Sequence, residues 1–324
     1  MKLQYTTGGS NPRLIRPAGT YSIVARDMSS GELGVAVQSH WFSVGSVVPW
    51  AEAGVGAVAT QSMADPAYGP LGLAAMRVGR SAPEALKGLL AGDERREIRQ
   101  VAIADATGRV AGYTGSRCLK PAGNITEPEA QFSVQANMMT NDRVWPAMAW
   151  AYREAQGDLA DRMVSALEAA ELAGGDIRGR QSAALIVVSE RSTGKPWIDR
   201  KFDLRVEDHP HPVDELKRLV RLQRAYLHMN AGDLAMEKND FDTANSEYSA
   251  AQRSAPDLIE IQFWCAVTLV NGGKLDEALP IFKNVFKHEV TWARLIPQLA
   301  ESGMLVNDPT TIKKILAIVP ATEL

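Results

Sequence analysis

The residue pattern changes near residue 210, and this change restricts the architecture more than any other feature. Before it, short apolar and β-branched runs are separated by glycine, a pattern typical of strands. The runs lie at residues 20–27, 33–37, 55–61, 99–104, 110–114, 132–135 and 182–189. Two pairs of helical patterns interrupt them, at residues 71–78 with 82–90 and 144–155 with 159–172. After Pro210 and Pro212 the pattern is helical throughout. The sequence therefore predicts an α+β domain ending near residue 212, followed by an all-α domain over residues 213–324.

The helical part contains an internal repeat. Three positions recur 34 residues along the chain: Phe241, Ala244 and Tyr248 correspond to Leu275, Ala278 and Phe282. A period of that length is the signature of tetratricopeptide repeats, which are helix–turn–helix units. The alternative is an ordinary helical bundle whose offsets agree by chance. Because isolated repeats cannot bury their apolar faces, we expect the tail either to pack on the first domain or to bind a protein partner.

Composition argues against nucleic acid and membrane partners. The 35 Lys and Arg are outnumbered by 38 Asp and Glu, and they are not gathered into the basic stripe that phosphate binding needs. No apolar run approaches the roughly 18 residues of a membrane span, and the first residues lack a secretory signal. Cys118 and Cys265 match neither a metal-ligand spacing nor a disulfide framework, which favours a reducing compartment. We therefore expect a cytoplasmic protein.

The sequence indicates no cofactor and no metal. Residues 54–59, GVGAVA, fit the letters of a dinucleotide fingerprint. Pro49 precedes them, however, and a strand-like run continues through them where the motif requires a helix to begin. His209 and His211 flank a proline with no third ligand nearby, so they do not form a zinc pattern.

Small polar residues stand at the ends of several predicted strands. They are Ser39 and His40, Gln61 and Ser62, Asn137, and the segment GGDIRGRQSAALIVV at residues 174–188. Each of them alone is explained as a turn or strand-end residue. Their occurrence together is what requires a functional interpretation.

Four segments, taken in order, resemble a bacterial family of unassigned function, the domain-of-unknown-function family 1028. They are TYSIVARDMSSGELGVAVQSHWFSVGSVVPWAEAGVGAVATQS, QVAIADATGRVAGYTG, FSVQANMM and GDIRGRQSAALIVV. The resemblance runs from about Thr20 to about Leu216. That family is grouped with the N-terminal nucleophile (Ntn) hydrolases. The resemblance therefore implies a four-layer αββα sandwich over residues 20–212 and an amidohydrolase that acts on a small amide or peptide-like substrate.

The resemblance also implies that Thr20 is the nucleophile. In such hydrolases the side chain of the first mature residue attacks an amide carbonyl, and its own α-amine is the general base. Here Gly19 precedes Thr20, so residues 1–19 would be a leader or propeptide whose removal frees that amine. The resembling proteins commonly begin with Met directly before this threonine, and the leader is a departure from that pattern. Cleavage could be autocatalytic, performed by another protease, or absent.

Further site residues follow from the same resemblance. Ser39 and His40, at the end of the second strand, are expected near the nucleophile. Asn137 is expected to supply a side-chain donor to an oxyanion. The residues expected to bind a substrate carboxylate or the α-amine are Asp176, Arg178, Arg180 and Gln181.

Two functions of different classes remain open. The first is the Ntn amidohydrolase that uses Thr20. The second is a catalytically silent Ntn-like scaffold that binds a protein partner through its helical tail, and a small-ligand binding module in the same cleft is a third. We also expect a homo-oligomer, because exposed helices offer self-complementary surfaces.

Overall fold

A computed structural model of the chain describes residues 19–319. The leader predicted over residues 1–19 lies outside the described residues, apart from Gly19. The chain divides into two compact units between Lys217 and Arg218. The boundary predicted from the sequence, residue 212, is the first residue of the helix Pro212–Glu237. The observed division lies slightly further along this helix.

The first unit contains two antiparallel sheets. Its ten strands are β1 (Thr20–Arg26), β2 (Leu33–Ser39), β3 (Pro49–Glu52), β4 (Gly56–Ser62), β5 (Arg99–Asp105), β6 (Val110–Thr114), β7 (Gly123–Glu127), β8 (Phe132–Asn137), β9 (Ser182–Val188) and β10 (Arg200–Val206). One sheet has the order β10-β9-β2-β1-β8-β7 and the other β3-β4-β5-β6. The sequence pattern predicted seven of these strands. It missed β3, β7 and β10, which lie at sheet edges and lack a continuous apolar run.

The helices of the first unit are α1 (Tyr68–Arg77), α2 (Ala82–Ala91), α3 (Val144–Glu154), α4 (Leu159–Leu172) and the short α5 (Pro196–Asp199). Single 3₁₀ turns occur at Val44–Ser46 and Arg96–Ile98. Ser81 starts α2 with a reciprocal capping box to Glu84, and the Asp158 side chain caps α4. The two predicted helix pairs are thereby confirmed.

The inner faces of the two sheets share one apolar core. Val35 and Val37 of the six-stranded sheet lie in one buried cluster with Ala57 and Ala102 of the four-stranded sheet. The alanines keep the core thin, because they allow the two sheets to approach closely.

Each sheet also contacts one helix pair. Leu73 of α1 and Leu86 of α2 are buried in one cluster with Ile103 of the four-stranded sheet. On the six-stranded sheet, the ring of Phe132 in β8 lies 4.7 Å from that of Tyr152 in α3. These contacts confirm the predicted α+β class.

The second unit is helical. It comprises most of α6 (Pro212–Glu237), then α7 (Phe241–Ser254), α8 (Ile259–Asn271), α9 (Leu275–His288), the 3₁₀ helix Val290–Arg294, α10 (Leu295–Glu301) and α11 (Pro309–Leu316). The repeat positions Phe241 and Leu275 are the first residues of α7 and α9. A Cβ atom at Gly232 would lie 3.0 Å from the ring of Tyr248, so the small residue allows α6 and α7 to touch.

Candidate functional site

Thr20 lies in the middle of the six-stranded sheet. It is the first residue of β1, opposite Ser39 of β2 and Asn137 of β8, and it is completely buried. Ser182 of β9 in turn lies opposite Ser39. These four neighbouring strands therefore each place a polar residue at the same end of the sheet. This arrangement explains the pattern of polar strand ends in the sequence.

The carbonyl oxygen of Gly19 is held by two side-chain donors. The Ser39 hydroxyl donates to it over 2.5 Å, and Nη2 of Arg178 donates over 2.9 Å. The Thr20 hydroxyl donates in turn to Oγ of Ser39 over 3.1 Å. A continuous hydrogen-bonded path thus connects the hydroxyl of Thr20 to the carbonyl of the peptide bond that precedes it.

Asp176 fixes the position of Arg178. Its carboxylate accepts Nη2 of Arg178 at 2.7 Å and Nε at 3.1 Å, and its side chain is fully buried. The backbone N–H groups of His40 and Arg178 also donate to this carboxylate, at 3.2 and 2.9 Å. A β-bridge between Asp176 and Met139 ties the segment to the end of β8. The ion pair is therefore rigid, and it presents the Arg178 guanidinium to the Gly19 carbonyl.

Buried amide side chains connect the two sheets beneath Thr20. Nε2 of Gln61 donates to the Thr20 carbonyl at 3.1 Å and to Oε1 of Gln100 at 2.7 Å. Nδ2 of Asn137 donates to Oε1 of Gln100 at 3.0 Å and more weakly to the Thr20 carbonyl at 3.4 Å. Asn137 is thus directed at the carbonyl of Thr20 rather than at that of Gly19. Its Oδ1 is buried without a hydrogen-bond partner among the described residues.

The remaining predicted site residues are placed differently. His40 contributes its backbone N–H to Asp176, and its buried Nδ1 has no hydrogen-bond partner within residues 19–319. Arg180 forms an ion pair with Glu171 at 2.9 Å. Gln181 is half-buried, and its carbonyl accepts the N–H of His209 at 2.8 Å. The structure therefore brings Thr20, Ser39, Asn137, Asp176 and Arg178 together, whereas the side chain of Arg180 pairs with Glu171.

Glu171 and Tyr21 explain the position of Arg180. Tyr21 follows Thr20 in β1, so its side chain points to the opposite face of the sheet, where its hydroxyl donates to Glu171 over 3.1 Å. Burial raises the pKa of the Glu171 carboxyl and outweighs the lowering effect of the Arg180 charge. Burial and the neighbouring Glu171 also raise the pKa of Tyr21 well above its usual value.

The sequence pattern did not identify Ser22 and Gln100 as site residues, although both belong to the buried network. It included Gln135 only as part of a predicted strand. All three are completely buried, and Ser22 donates to Oε1 of Gln61 over 2.6 Å. The sequence did contain a signal for these three residues. Each is a serine or glutamine within a predicted strand whose apolar residues indicate burial. Beside the network, Met138 follows Asn137 with φ 58, and Ser62 ends β4 with φ 70. Left-handed backbone at residues other than glycine is often found at functional sites.

Three further observations concern metal-binding groups, cysteines and apolar helices in the described part of the chain. Within residues 19–319, no group of three or more His, Cys, Asp or Glu side chains is placed to hold a metal ion. Cys118 and Cys265 are both buried free thiols. No helix between residues 19 and 319 combines the length and the apolar character needed to cross a bilayer.

Comparison with known proteins matches most of the first unit to a described family. Residues 20–216 match the model of a "family of unknown function (DUF1028)". The crystal structure of a Silicibacter pomeroyi protein assigned to the same family superimposes with a TM-score of 0.56 at 30% sequence identity, covering 63% of this chain and 85% of that one. No curated protein matches the chain.

Proposed function

The chain belongs to the DUF1028 family of unknown function, and from the geometry around Gly19 and Thr20 we propose that it is an Ntn amidohydrolase with Thr20 as its nucleophile. One observation supports the proposal above all. The carbonyl that Thr20 would attack to release its own amine already receives two hydrogen bonds, from Ser39 and Arg178. Ser39 also accepts the hydrogen bond of the Thr20 hydroxyl. These contacts supply an acceptor for the hydroxyl proton and donors for the developing oxyanion, both of which an acyl shift uses.

The release of Thr20 would proceed in two steps. Oγ of Thr20 attacks the carbonyl carbon of Gly19, the threonine proton passes to Oγ of Ser39, and the serine proton passes to the carbonyl oxygen. Before the serine proton reaches this oxygen, Arg178 stabilises the negative charge that develops on it. The C=O bond then re-forms and the C–N bond breaks, while the proton that the oxygen had taken is transferred to the nitrogen, which becomes the α-amine. Water hydrolyses the resulting ester, which leaves a carboxylate on Gly19 and restores the hydroxyl of Thr20.

Turnover on a small amide or peptide-like substrate would use the same groups. The free α-amine takes the proton of Thr20 as Oγ attacks the substrate carbonyl, and it later transfers that proton to the leaving amine. Water then hydrolyses the ester on Oγ, which releases the acid product and restores the hydroxyl of Thr20. An α-amine has an ordinary pKa of about 7.7 to 8.0, so it exchanges protons near neutral pH without a histidine. Ser39 and Arg178 hold the oxyanion in the position now occupied by the Gly19 oxygen.

The architecture is consistent with this proposal. We infer four layers in the order helix pair, four-stranded sheet, six-stranded sheet and helix pair, which is the order expected for an Ntn hydrolase. For the helical unit we propose tetratricopeptide-like repeats, since α7 and α9 begin at equivalent repeat positions. A cytoplasmic location and a homo-oligomeric state complete the proposal.

The activity is tested on protein whose N-terminal residue is Thr20. It should hydrolyse small amides and lose this activity when the α-amine is acetylated near neutral pH, where a fraction of the α-amine is unprotonated while lysine amines stay protonated and unreactive. Thr20→Ala should be inactive, whereas Thr20→Ser keeps a hydroxyl and should retain a measurable fraction. Equal activity before and after acetylation of the α-amine would exclude the mechanism.

A groove in the helical unit favours a second function, protein binding. The groove has a volume of about 890 Å³, and both aromatic and acidic side chains line it, among them Tyr226, Trp264, Asp233, Glu237 and Glu260. Such a lining fits an extended basic peptide with apolar side chains. A labelled peptide of alternating Lys and Leu should bind the full chain, and Glu237→Lys should weaken that binding. Equal binding of a Glu and Leu peptide would exclude this interpretation.

A further inference from the structure

We infer that the site selects glycyl groups: its substrates are amides whose carbonyl belongs to glycine, and its products are peptides that end in glycine. This inference rests on the proposed function and specifies the substrate class. Gly19 occupies the position of the acyl group in the peptide bond that Thr20 would attack. Its surroundings are therefore those that the acyl group of a substrate would meet.

The space beside the Cα atom of Gly19 is closed to an L side chain. A Cβ atom there would lie 2.8 Å from Oδ2 of Asp176, 2.9 Å from Oδ1 and 2.9 Å from Nη2 of Arg178. Contacts this short do not occur in real structures, so the ion pair would have to move. Glycine is the residue that lets a backbone approach its surroundings this closely.

Asp176 and Arg178 cannot move away without losing other contacts. The Asp176 side chain is fully buried and accepts the backbone N–H groups of His40 and Arg178. Moving it would leave these donors without their acceptor, and an unpaired polar group inside a protein is energetically unfavourable. The Arg178 guanidinium, for its part, holds the carbonyl oxygen that must become the oxyanion. An alanyl group would thus disturb the group that stabilises the reaction.

The same contacts would bind the cleaved product. One oxygen of a C-terminal glycine carboxylate would keep the hydrogen bonds from Ser39 and Arg178 that the Gly19 carbonyl now receives. The nearby negative charge of Asp176 opposes the second oxygen, so the product is recognised but held weakly enough to leave.

The test measures binding of two peptides to the chain that begins at Thr20. The family match starts at this residue, so the shortened chain keeps the whole matched region. The probes are fluorescent peptides with the sequence that precedes the proposed cleavage point, RLIRPAG, and the same peptide ending in alanine, RLIRPAA. Anisotropy should show at least tenfold weaker binding of the alanine peptide. A single methyl group distinguishes the two, so charge and length are matched.

Two outcomes of the binding measurement would overturn the inference: equal affinity for both peptides, or no binding of the glycine peptide at millimolar concentration. Failure of the proposed function has a different signature. In that case the glycine peptide binds selectively, but glycine 4-nitroanilide and its N-acetyl derivative are not hydrolysed. Conversely, hydrolysis of L-alanine 4-nitroanilide as fast as its glycine analogue would preserve the amidase and exclude the glycyl selectivity.

Discussion

The Ser39 hydroxyl lies between the hydroxyl of Thr20, from which it accepts a hydrogen bond at 3.1 Å, and the carbonyl of Gly19, to which it donates at 2.5 Å. Strand register produces this arrangement, because Thr20 and Ser39 are directly opposite each other at the ends of β1 and β2. In the proposed mechanism, this one serine both relays a proton and donates a hydrogen bond to the developing oxyanion.

Replacement of Ser39 should therefore slow self-cleavage. Ser39→Ala removes a donor to the developing oxyanion, and the loss of one such donor costs about 10²–10³-fold in rate. The matched control is Ser182→Ala, which removes a buried hydroxyl from the neighbouring strand that donates instead to the Trp41 carbonyl. Mass spectrometry over time gives both rates. Equal slowing by the two variants would indicate a structural effect.

Arg178 should contribute to the rate of self-cleavage, whereas Arg180 should not. Arg178→Gln removes the charged donor to the Gly19 carbonyl and should slow cleavage about 10²-fold. Arg180→Gln breaks an ion pair to Glu171 on the other face of the sheet and should leave the rate nearly unchanged. The same time course measures both. A large effect of Arg180→Gln alone would contradict the assigned roles.

Replacement of a buried glutamine by leucine should destabilise the protein at one position, Gln100, but not at another, Gln38. Gln100 hydrogen-bonds to Gln61, Asn137 and the Ala136 carbonyl, so Gln100→Leu should lower the free energy of unfolding by about 1–3 kcal/mol. Gln38 is equally buried, but neither amide atom has a hydrogen-bond partner among the described residues. Gln38→Leu should therefore be neutral or stabilising. Urea denaturation gives both free energies of unfolding. If Gln38→Leu is as destabilising as Gln100→Leu, the side-chain amide of Gln38 must form hydrogen bonds in the folded protein, and the prediction is wrong.

Asp27 should make stability depend on acid pH. Burial alone would raise its pKa, but hydrogen bonds from Ser29 and Ser30 and the charge of Arg162 outweigh burial and lower the pKa to about 2 from 3.8. The folded state therefore favours the carboxylate, and this stabilisation is present above pH 4 and is lost as the pH falls toward 2. Asp27→Asn should cost about 2 kcal/mol at pH 7 and almost nothing near pH 2. A difference from wild type that stays constant over this range would contradict the assignment.

The local parts of the site could be predicted from the sequence, whereas its long-range contacts could not. Ser39 and Asn137 each end a strand that the apolar pattern predicts, so both could be identified as candidate site residues. Asp176 and Arg178 could be identified together, because they belong to one short polar segment. The pairing of Gln61 with Gln100 beneath Thr20 depends on how the two sheets stack, which no local pattern specifies. The direction of Arg180 likewise depends on Glu171, a helix residue on the far face of the sheet.

The most direct test of the central claim is the intact mass of the purified full-length protein. If Thr20 performs its own release, the wild-type chain loses Met1 to Gly19 on incubation of the pure protein, and the remaining chain begins at Thr20. Thr20→Ala should stay at full length under the same conditions, and Thr20→Ser should be cleaved at the same bond. A Thr20→Ala chain that is cleaved there as fast as wild type, or a wild-type chain that stays uncleaved yet hydrolyses amides, would contradict the account.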